Sequence, residues 1–417
     1  MNAEQQLAIL SRGTEEILPE GALLERLRLC ERERRPMRVK QGFDPTAPDI
    51  HLGHTVGLRK LRQFQDLGHQ VVLIVGDYTG MVGDPSGLSK TRPQLTIEQV
   101  QENARSYLEQ FFRVLEREPR PPRLPVEIHP NGEWFSRMSF MDVIQLAAQA
   151  TVARMLERDE FAKRYASHQP ISVHELLYPL MQGYDSVAIR ADLELGATEQ
   201  KFNLLVGRAM QEAHGQLPQV VLTLPVLPGL DGVQRMSKSL GNYIGVADAP
   251  ADMYGKVMSL PDEVLALFWP LTTDADEAEL AAVTRQLADP STNPMIVKKA
   301  LAHRLVRMYH GADAADQAQS YFESVHSRHE TPDHMIEEFY GDAVRGASKG
   351  AASPTIVDFI CASGIAATRS AARRLIEQGA VKLDDQPVRA WDAAVDPTQV
   401  HVLRAGRKLK RYRPTQS

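Results

Sequence analysis

The sequence predicts an α/β protein: a domain doubly wound about a parallel sheet, then an α-helical domain and a small α+β module. Three observations carry this. Continuous apolar runs, HQVVLIVGDYTG (69–80), DSVAIRADLELG (185–196) and QVVLTLPVLPG (219–229), have the composition of strands buried on both faces. Helical stretches at 98–117, 139–164 and 199–214 separate them, and strand–helix alternation of this kind builds a parallel sheet. From residue 246 onward the periodicity becomes helical, and it gives way near the end to a short helix–strand pattern.

Taken in order, residues 1–35 read as two charged helices. The second, ALLERLRLCERERR, sets Leu23, Leu24, Leu27 and Cys30 on one packing face. MRVKQGFD (37–44) reads as a short strand ending in a turn. Leu52–Leu67 has apolar residues at helical spacing, with Asp49 as its cap and Gly68 as its stop. In open sheets of this class, ligands bind beyond the carboxyl ends of the strands, and each unusual loop here directly follows a predicted strand. Residues 1–245 therefore form one Rossmann-like domain and 246–340 a helical domain. The Gly-, Ala- and Ser-rich stretch 341–354 reads as a flexible linker. In the last module, 355–417, Ser370 caps a short helix, Gly379 stops it, and a strand and an Asp–Asp turn follow.

The composition, 43% hydrophobic and 24% charged over 417 residues, is that of an ordinary globular protein. A net charge of −5 excludes a chain that is basic throughout, so any polyanion must meet a local patch. Residues 353–417 supply one, with 11 Lys and Arg against 6 Asp and Glu. That charge of +5 leaves −10 for residues 1–352. Cys30 and Cys361 lie far apart with no CxxC pair, which argues against a disulfide framework or a Cys-based zinc site and fits a reducing cytosol. The opening residues lack the apolar core of a signal peptide, and no run of about 18 apolar residues occurs. A cytoplasmic protein without a membrane span is expected.

Two motifs carry chemistry. In HLGH, His51 and His54 flank Gly53 at a predicted helix start. Such a pair admits a metal site, a phosphate site or a plain capped helix. Metal-binding histidines on helices usually stand four apart beside an acid; these stand three apart around Leu and Gly, which disfavours metal. A helix N-terminus offers free N–H groups and positive potential to an anion. Two imidazoles on one face can hydrogen-bond a phosphate oxygen, and Gly53, without a Cβ, lets a flat base approach the backbone. The second motif, GVQRMSKSLGNYIG (232–245), follows the last apolar run. It sets Arg235, Ser237, Lys238 and Ser239 between two glycines, as suits a loop over a triphosphate. Arg235 and Lys238 would oppose the charge of a leaving pyrophosphate. A third pattern, YPLMQGYD, places Tyr178, Gln182 and Asp185 at i, i+4 and i+7, a stripe too polar for an ordinary core.

HLGH and RMSKS resemble the HIGH and KMSKS motifs of class I aminoacyl-tRNA synthetases. QGFDPTAPDIHLGH, VGDPSG, YPLMQGYDS and LGATEQKFNLLVG are similar to bacterial tyrosyl-tRNA synthetases, over residues from about 38 to 417. The resemblance implies a tyrosine–tRNA ligase that uses ATP with Mg²⁺ and has no protein-bound metal. L-tyrosine and tRNA(Tyr) would be its other substrates, and it would be a homodimer through an insertion at about 115–170. A tryptophanyl-type ligase is the alternative. It also implies roles. His51, His54, Arg235 and Lys238 act on the phosphates. Asp44, Thr46, Gly53, Glu199, Ser237 and Ser239 hold ATP, with Thr46 near the γ-phosphate and Glu199 near the ribose. Asp84, Tyr178 and Gln182 take the tyrosine ammonium, Gln200 lies near its carboxylate, and Asp185 accepts from the phenol. The last module resembles a small RNA-binding module of a ribosomal small-subunit protein, with Arg369, Arg373 and Arg374 projecting from its helix. Departures from the family pattern are Lys40, where many members carry a tyrosine that touches the phenol; Gly57, often threonine; Leu88 and Ser89, with Lys90 and Arg92 nearby; and Arg235 for the first lysine of KMSKS.

Overall fold

The computed structural model describes residues 1–45, 49–83, 96–326, 337–348, 353–384, 386–405 and 408–414. Its contacts divide the chain into two units, residues 1–319 and 320–417.

The first unit is built on a six-stranded sheet in the order β1-β6-β5-β2-β3-β4. The strands are β1 (Glu16–Leu18), β2 (Arg38–Phe43), β3 (Gln70–Val75), β4 (Glu127–Pro130), β5 (Leu193–Ala197) and β6 (Val220–Leu224). All neighbours are parallel except β1, which runs antiparallel to β6. Helices α1 (Ala3–Leu10), α2 (Ala22–Glu33), α3 (Leu52–Asp66), α4 (Ile97–Phe111), α5 (Tyr178–Ile189) and α6 (Lys201–Ala213) accompany it. With helices on both faces, each strand needs apolar side chains in both directions. Val71, Val72, Leu73 and Ile74 are accordingly buried, as are all five residues of β6.

The structure departs from the sequence reading at several elements. Residues 16–18 are a strand, because the edge of β6 is open to them: Glu15 N donates to Thr223 O at 2.8 Å and Glu16 N to Thr223 Oγ1 at 3.1 Å. The run 185–196 is the end of a helix and only then a strand. Val187 and Ile189 are buried on α5, Arg190 turns the chain in the left-handed region, and β5 begins at Leu193. Asp49 does not cap α3. His51 does, in a capping box with His54.

Residues 250–310 form α7 (Pro250–Met258), α8 (Leu265–Thr272), α9 (Glu277–Ala288) and α10 (Pro294–His310), which belong to the first unit. In the second unit, β7 (Glu337–Tyr340) joins a sheet ordered β7-β11-β10-β8-β9, with β8 (Val381–Leu383), β9 (Gln386–Pro387), β10 (His401–Ala405) and β11 (Lys408–Arg413). Where a linker is expected, Gly341–Ala347 form helix α11, anchored by Val344 in that unit's core. The small residues around Val344 read as a loop because a single apolar anchor leaves no periodicity. Helices α12 (Ile356–Ala362) and α13 (Arg369–Glu377) pack on the sheet around Phe359 and Tyr412, whose ring centroids are 4.6 Å apart. Thr368, not Ser370, caps α13.

Candidate active site

From β2 the chain moves to β3 and β4 on one side and to β5 and β6 on the other, so the order reverses between β2 and β5. Loops leave the carboxyl ends there in opposite directions and open a crevice. A cavity of about 590 Å³ occupies it. His51, Gly53, His54, Asp44, Tyr178, Glu199, Gln200, Arg235, Ser237, Lys238 and Ser239 all line it. The two motifs are joined by main chain: Leu52 N donates to Ile244 O and Val246 N to Ile50 O, each at 3.0 Å. A Cβ on Gly53 would lie 2.9 Å from the His51 ring, so this glycine makes room for the folded-back imidazole.

The capping geometry settles the tautomers. His51 Nδ1 accepts from Gly53 N at 3.1 Å, and His54 Nδ1 accepts from His51 N at 3.2 Å. With Nδ1 committed as acceptor, the neutral ring carries its proton on Nε2. Burial, and then the neighbouring charges of His54 and Lys238, push the pKa of His51 down to about 2. Burial and Lys238 push His54 down to about 4. Both rings are therefore neutral Nε2–H donors at physiological pH, with centroids 4.0 Å apart.

The second motif spans the cleft. Arg235 Nη1 meets Glu199 Oε2 at 2.8 Å beyond β5, and Lys238 Nζ lies 3.6 Å from Asp49 Oδ2 on the α3 side. Burial holds the Lys238 pKa below its usual range, against the pull of Asp49. Ser237 and Ser239 bond each other at 2.9 Å.

A smaller pocket adjoins the cavity and shares Gly42, Phe43, Asp44, Tyr178 and Gln200 with it. Gln182 and Asp185 lie on its wall. Tyr178 Oη donates to Asp44 Oδ2 at 2.8 Å, tying the two compartments together. Gln200 Oε1 accepts from Ala197 N at 3.1 Å. Asp185 is buried, with Trp134 Nε1 donating to Oδ1 at 3.0 Å and Asn131 Nδ2 to Oδ2 at 3.4 Å. Burial raises its pKa to about 7, although the Lys40 charge and the Asn131 and Trp134 hydrogen bonds pull it down.

Lys40 does not meet Asp185. Its fully buried ammonium pairs with the fully buried Glu194 at 3.0 Å and donates to Gln182 O at 2.9 Å and Ser186 Oγ at 2.8 Å. Glu194 in turn accepts from Gln182 Nε2 at 3.0 Å, while Asn203 Nδ2 donates to Gln182 Oε1 at 2.8 Å. The Gln182 amide is thus fixed at both ends.

Sequence reasoning missed Asn131, Trp134, Glu194 and Gln41. Asn131 and Trp134 follow β4 at its carboxyl end, a position that could have drawn attention without any motif. Gln41 was legible only through its neighbour: a Cβ on Gly57 would lie 2.4 Å from Gln41 Nε2, so the glycine admits this side chain. Among the described residues, no hydrogen-bond partner reaches Gln41 Oε1, which is buried at the cavity wall. Thr46, Asp84, Lys90 and Arg92 lie outside the described residues. In the second unit, Arg369 pairs with Asp358, Arg373 lies 4.1 Å over the Trp391 ring, and Arg374 is exposed.

Comparison with known proteins places the chain in a family. The family model of the class I tRNA synthetases (W and Y) matches residues 32–327, and that of the S4 domain matches 355–390. The tyrosine–tRNA ligase of Moorella thermoacetica is 50% identical over 405 residues, which cover 97% of this chain and 94% of that one. That of Thermotoga maritima is 47% identical over 414 residues, 99% and 98% of the two chains. Among solved structures, the tyrosyl-tRNA synthetase of Archaeoglobus fulgidus complexed with L-tyrosine superposes with a TM-score of 0.61 at 23% identity, covering 76% of this chain and all of that one. At that identity the likeness speaks for the fold alone. With the matched model spanning most of the chain and near full-length relatives at about half identity, the chain belongs to the class I tRNA synthetases and, within them, to the tyrosine–tRNA ligases.

Proposed function

We propose that the cleft joins L-tyrosine to ATP and then passes the tyrosyl group to the 3′ end of tRNA(Tyr). The observation that carries this reading is the single cavity lined by both motifs, with an adjoining pocket ending at Asp185. In the first step the tyrosine carboxylate attacks the α-phosphorus of ATP and pyrophosphate leaves; no side chain need act as nucleophile. His51 and His54 donate Nε2–H to the α-phosphate oxygens as charge builds there. Arg235 and Lys238 exchange Glu199 and Asp49 for the leaving phosphates. Glu199, once released, is free for the ribose, and the unpartnered Gln41 Oε1 offers a further acceptor to the nucleotide. Mg²⁺ enters with ATP as part of the substrate and offsets phosphate charge. In the second step a terminal ribose hydroxyl of the tRNA attacks the carbonyl carbon of the mixed anhydride, an ester forms and AMP leaves. The basic stretch 353–417 would hold the RNA, with Arg373 on Trp391 and Arg374 facing outward.

Asp185 would accept a hydrogen bond from the phenol. Phenylalanine would leave this buried acceptor short of a donor, at a cost of about 1–3 kcal/mol or more. Pyrophosphate exchange with tyrosine, tryptophan and phenylalanine side by side is the test. Exchange with tyrosine alone is expected, and Asp185→Ala should erode rejection of phenylalanine at least tenfold. Exchange driven by tryptophan would overturn the assignment.

The raised pKa of Asp185 has a second measurable effect. Its folded value of about 7 stands above the usual 3.8, so its protonation supports folding below about pH 4 and that support is lost as pH rises through about 7. The stability difference between the native chain and Asp185→Asn should therefore change by about 1.4 kcal/mol per pH unit across that window. A flat difference in urea unfolding from pH 4 to 7 would show that the carboxyl does not titrate there.

A homodimer is supported by Phe140, Met141, Ile144 and Val152, exposed large apolar side chains within the insertion at about 115–170. Phe140→Asp should yield a monomer in light scattering with an unaltered circular dichroism spectrum. An unchanged mass would place the contact elsewhere. Cytoplasmic residence is supported by two free cysteines, and no described helix is long and apolar enough to cross a membrane.

A further inference from the structure

A second cavity, of about 480 Å³, lies on the other side of α3, between that helix, α1 and the helices α8 to α10. Val56 and Leu224 face both cavities. Its wall is strongly cationic: Arg12, Arg59, Lys60, Arg62 and Arg113 line it, against Asp66 and Asp274. The acids are already engaged. Asp66 is held by Arg62 and Arg123, and Asp274 by Arg304. Arg12 pairs with Glu277.

Among the described residues, three of these cations have no carboxylate partner. Lys60 turns its ammonium to the carbonyls of Leu10 and Arg12 and to Gln63 Oε1. Arg113 donates to Val246 O from Nη1. Arg59, only partly exposed, turns its guanidinium to the Tyr309 hydroxyl and meets no carboxylate among the described residues. Tyr309 is 9% exposed, and among the described residues no acceptor takes the proton of its hydroxyl. The local field is positive, since these cations depress one another. Burial and then the charge of Arg12 push Lys60 down to about 7. Burial lowers Arg59, with Arg304 and Arg62 adding to the effect against Tyr309 and Asp274.

Buried donors without acceptors are rare and costly in folded proteins. A guanidinium fork fits two oxygens of one anion, and a neighbouring phenol can donate to a third. We infer that this cavity binds a small phosphate-type oxyanion, gripped by Arg59 and the Tyr309 hydroxyl with Arg113 at its rim. The ligand's chemistry is shared by free inorganic phosphate and by an RNA backbone phosphate. A walled cavity set between helices favours the free ion.

The test uses the full chain in buffer without phosphate or sulfate. Inorganic phosphate is titrated at low ionic strength and followed by ³¹P NMR. Saturable binding is expected in the native chain. Arg59→Gln and Tyr309→Phe should each weaken it about tenfold or more, as loss of a charge-assisted contact does, while Lys238→Ala in the first cavity leaves it unaltered. Tyr309→Phe removes one oxygen and preserves packing, so it reports even if Arg59→Gln does not fold. Loss with Lys238→Ala but not with the other two would assign the phosphate to the first cavity and overturn the inference. So would absent phosphate binding combined with weaker tRNA retention by Arg59→Gln, which would make the ligand an RNA phosphate.

Discussion

Lys238→Ala is expected to lower kcat for tyrosine activation by about 10²–10³-fold, the usual effect of removing one preorganised charge partner from a transition state. KM for tyrosine should change far less, because Lys238 lines the phosphate side of the cleft and not the pocket of Asp185. In the free chain Lys238 is held by Asp49 at 3.6 Å, a loose contact that a triphosphate can outbid. Partial burial already disfavours its charge, so a new anionic partner gains more than it would in open solvent. An interaction made mainly in the transition state lowers kcat and kcat/KM together when removed. Stopped-flow measurement of the first step separates the outcomes: an unchanged kcat would take the loop out of the chemistry, and an equal rise in KM for ATP alone would make it a binding element.

The second large effect concerns stability. Lys40→Met should destabilise the chain by about 3–5 kcal/mol, since it leaves Glu194 as an uncompensated charge in a fully buried position. The double variant Lys40→Met, Glu194→Gln should recover most of that loss, because replacing both members of a buried pair by neutral groups is often nearly neutral. Urea unfolding of both variants measures it. The expected order fails if the single variant loses less than about 1 kcal/mol. The pair also fixes Gln182, whose amide bonds both Glu194 and Asn203. The tyrosine KM of the double variant therefore reports how much of the pocket depends on this support.

How much of this was legible beforehand depends on the kind of signal. The strands β3 and β6 were plain, because burial on both faces writes an unbroken apolar run. His51, His54, Arg235 and Lys238 were legible as motifs, and the shared cleft follows from the positions of the loops that carry them. Strand β1 was not legible, since Glu15 and Glu16 are recruited by a distant edge through main-chain bonds that leave no trace in local composition. Lys40 was noticed as a departure, yet its partner Glu194 sits in the middle of an apolar run, where alternation predicts nothing about a buried ion pair. The role of His51 as its own helix cap was hidden by Asp49, the better capping residue by type; the main-chain bond of Leu52 to Ile244 holds this turn where it is.

That stitch of backbone between residues 50–52 and 244–246 makes the spacing of the crevice indifferent to side-chain identity. The separation of the two signature segments is set by peptide groups that every residue type shares. Exchange of one cationic head for another, as at Arg235, therefore leaves the main-chain bonds that set this span in place. A change of side chain at the loop retunes the charge presented to the crevice without moving the backbone that carries it.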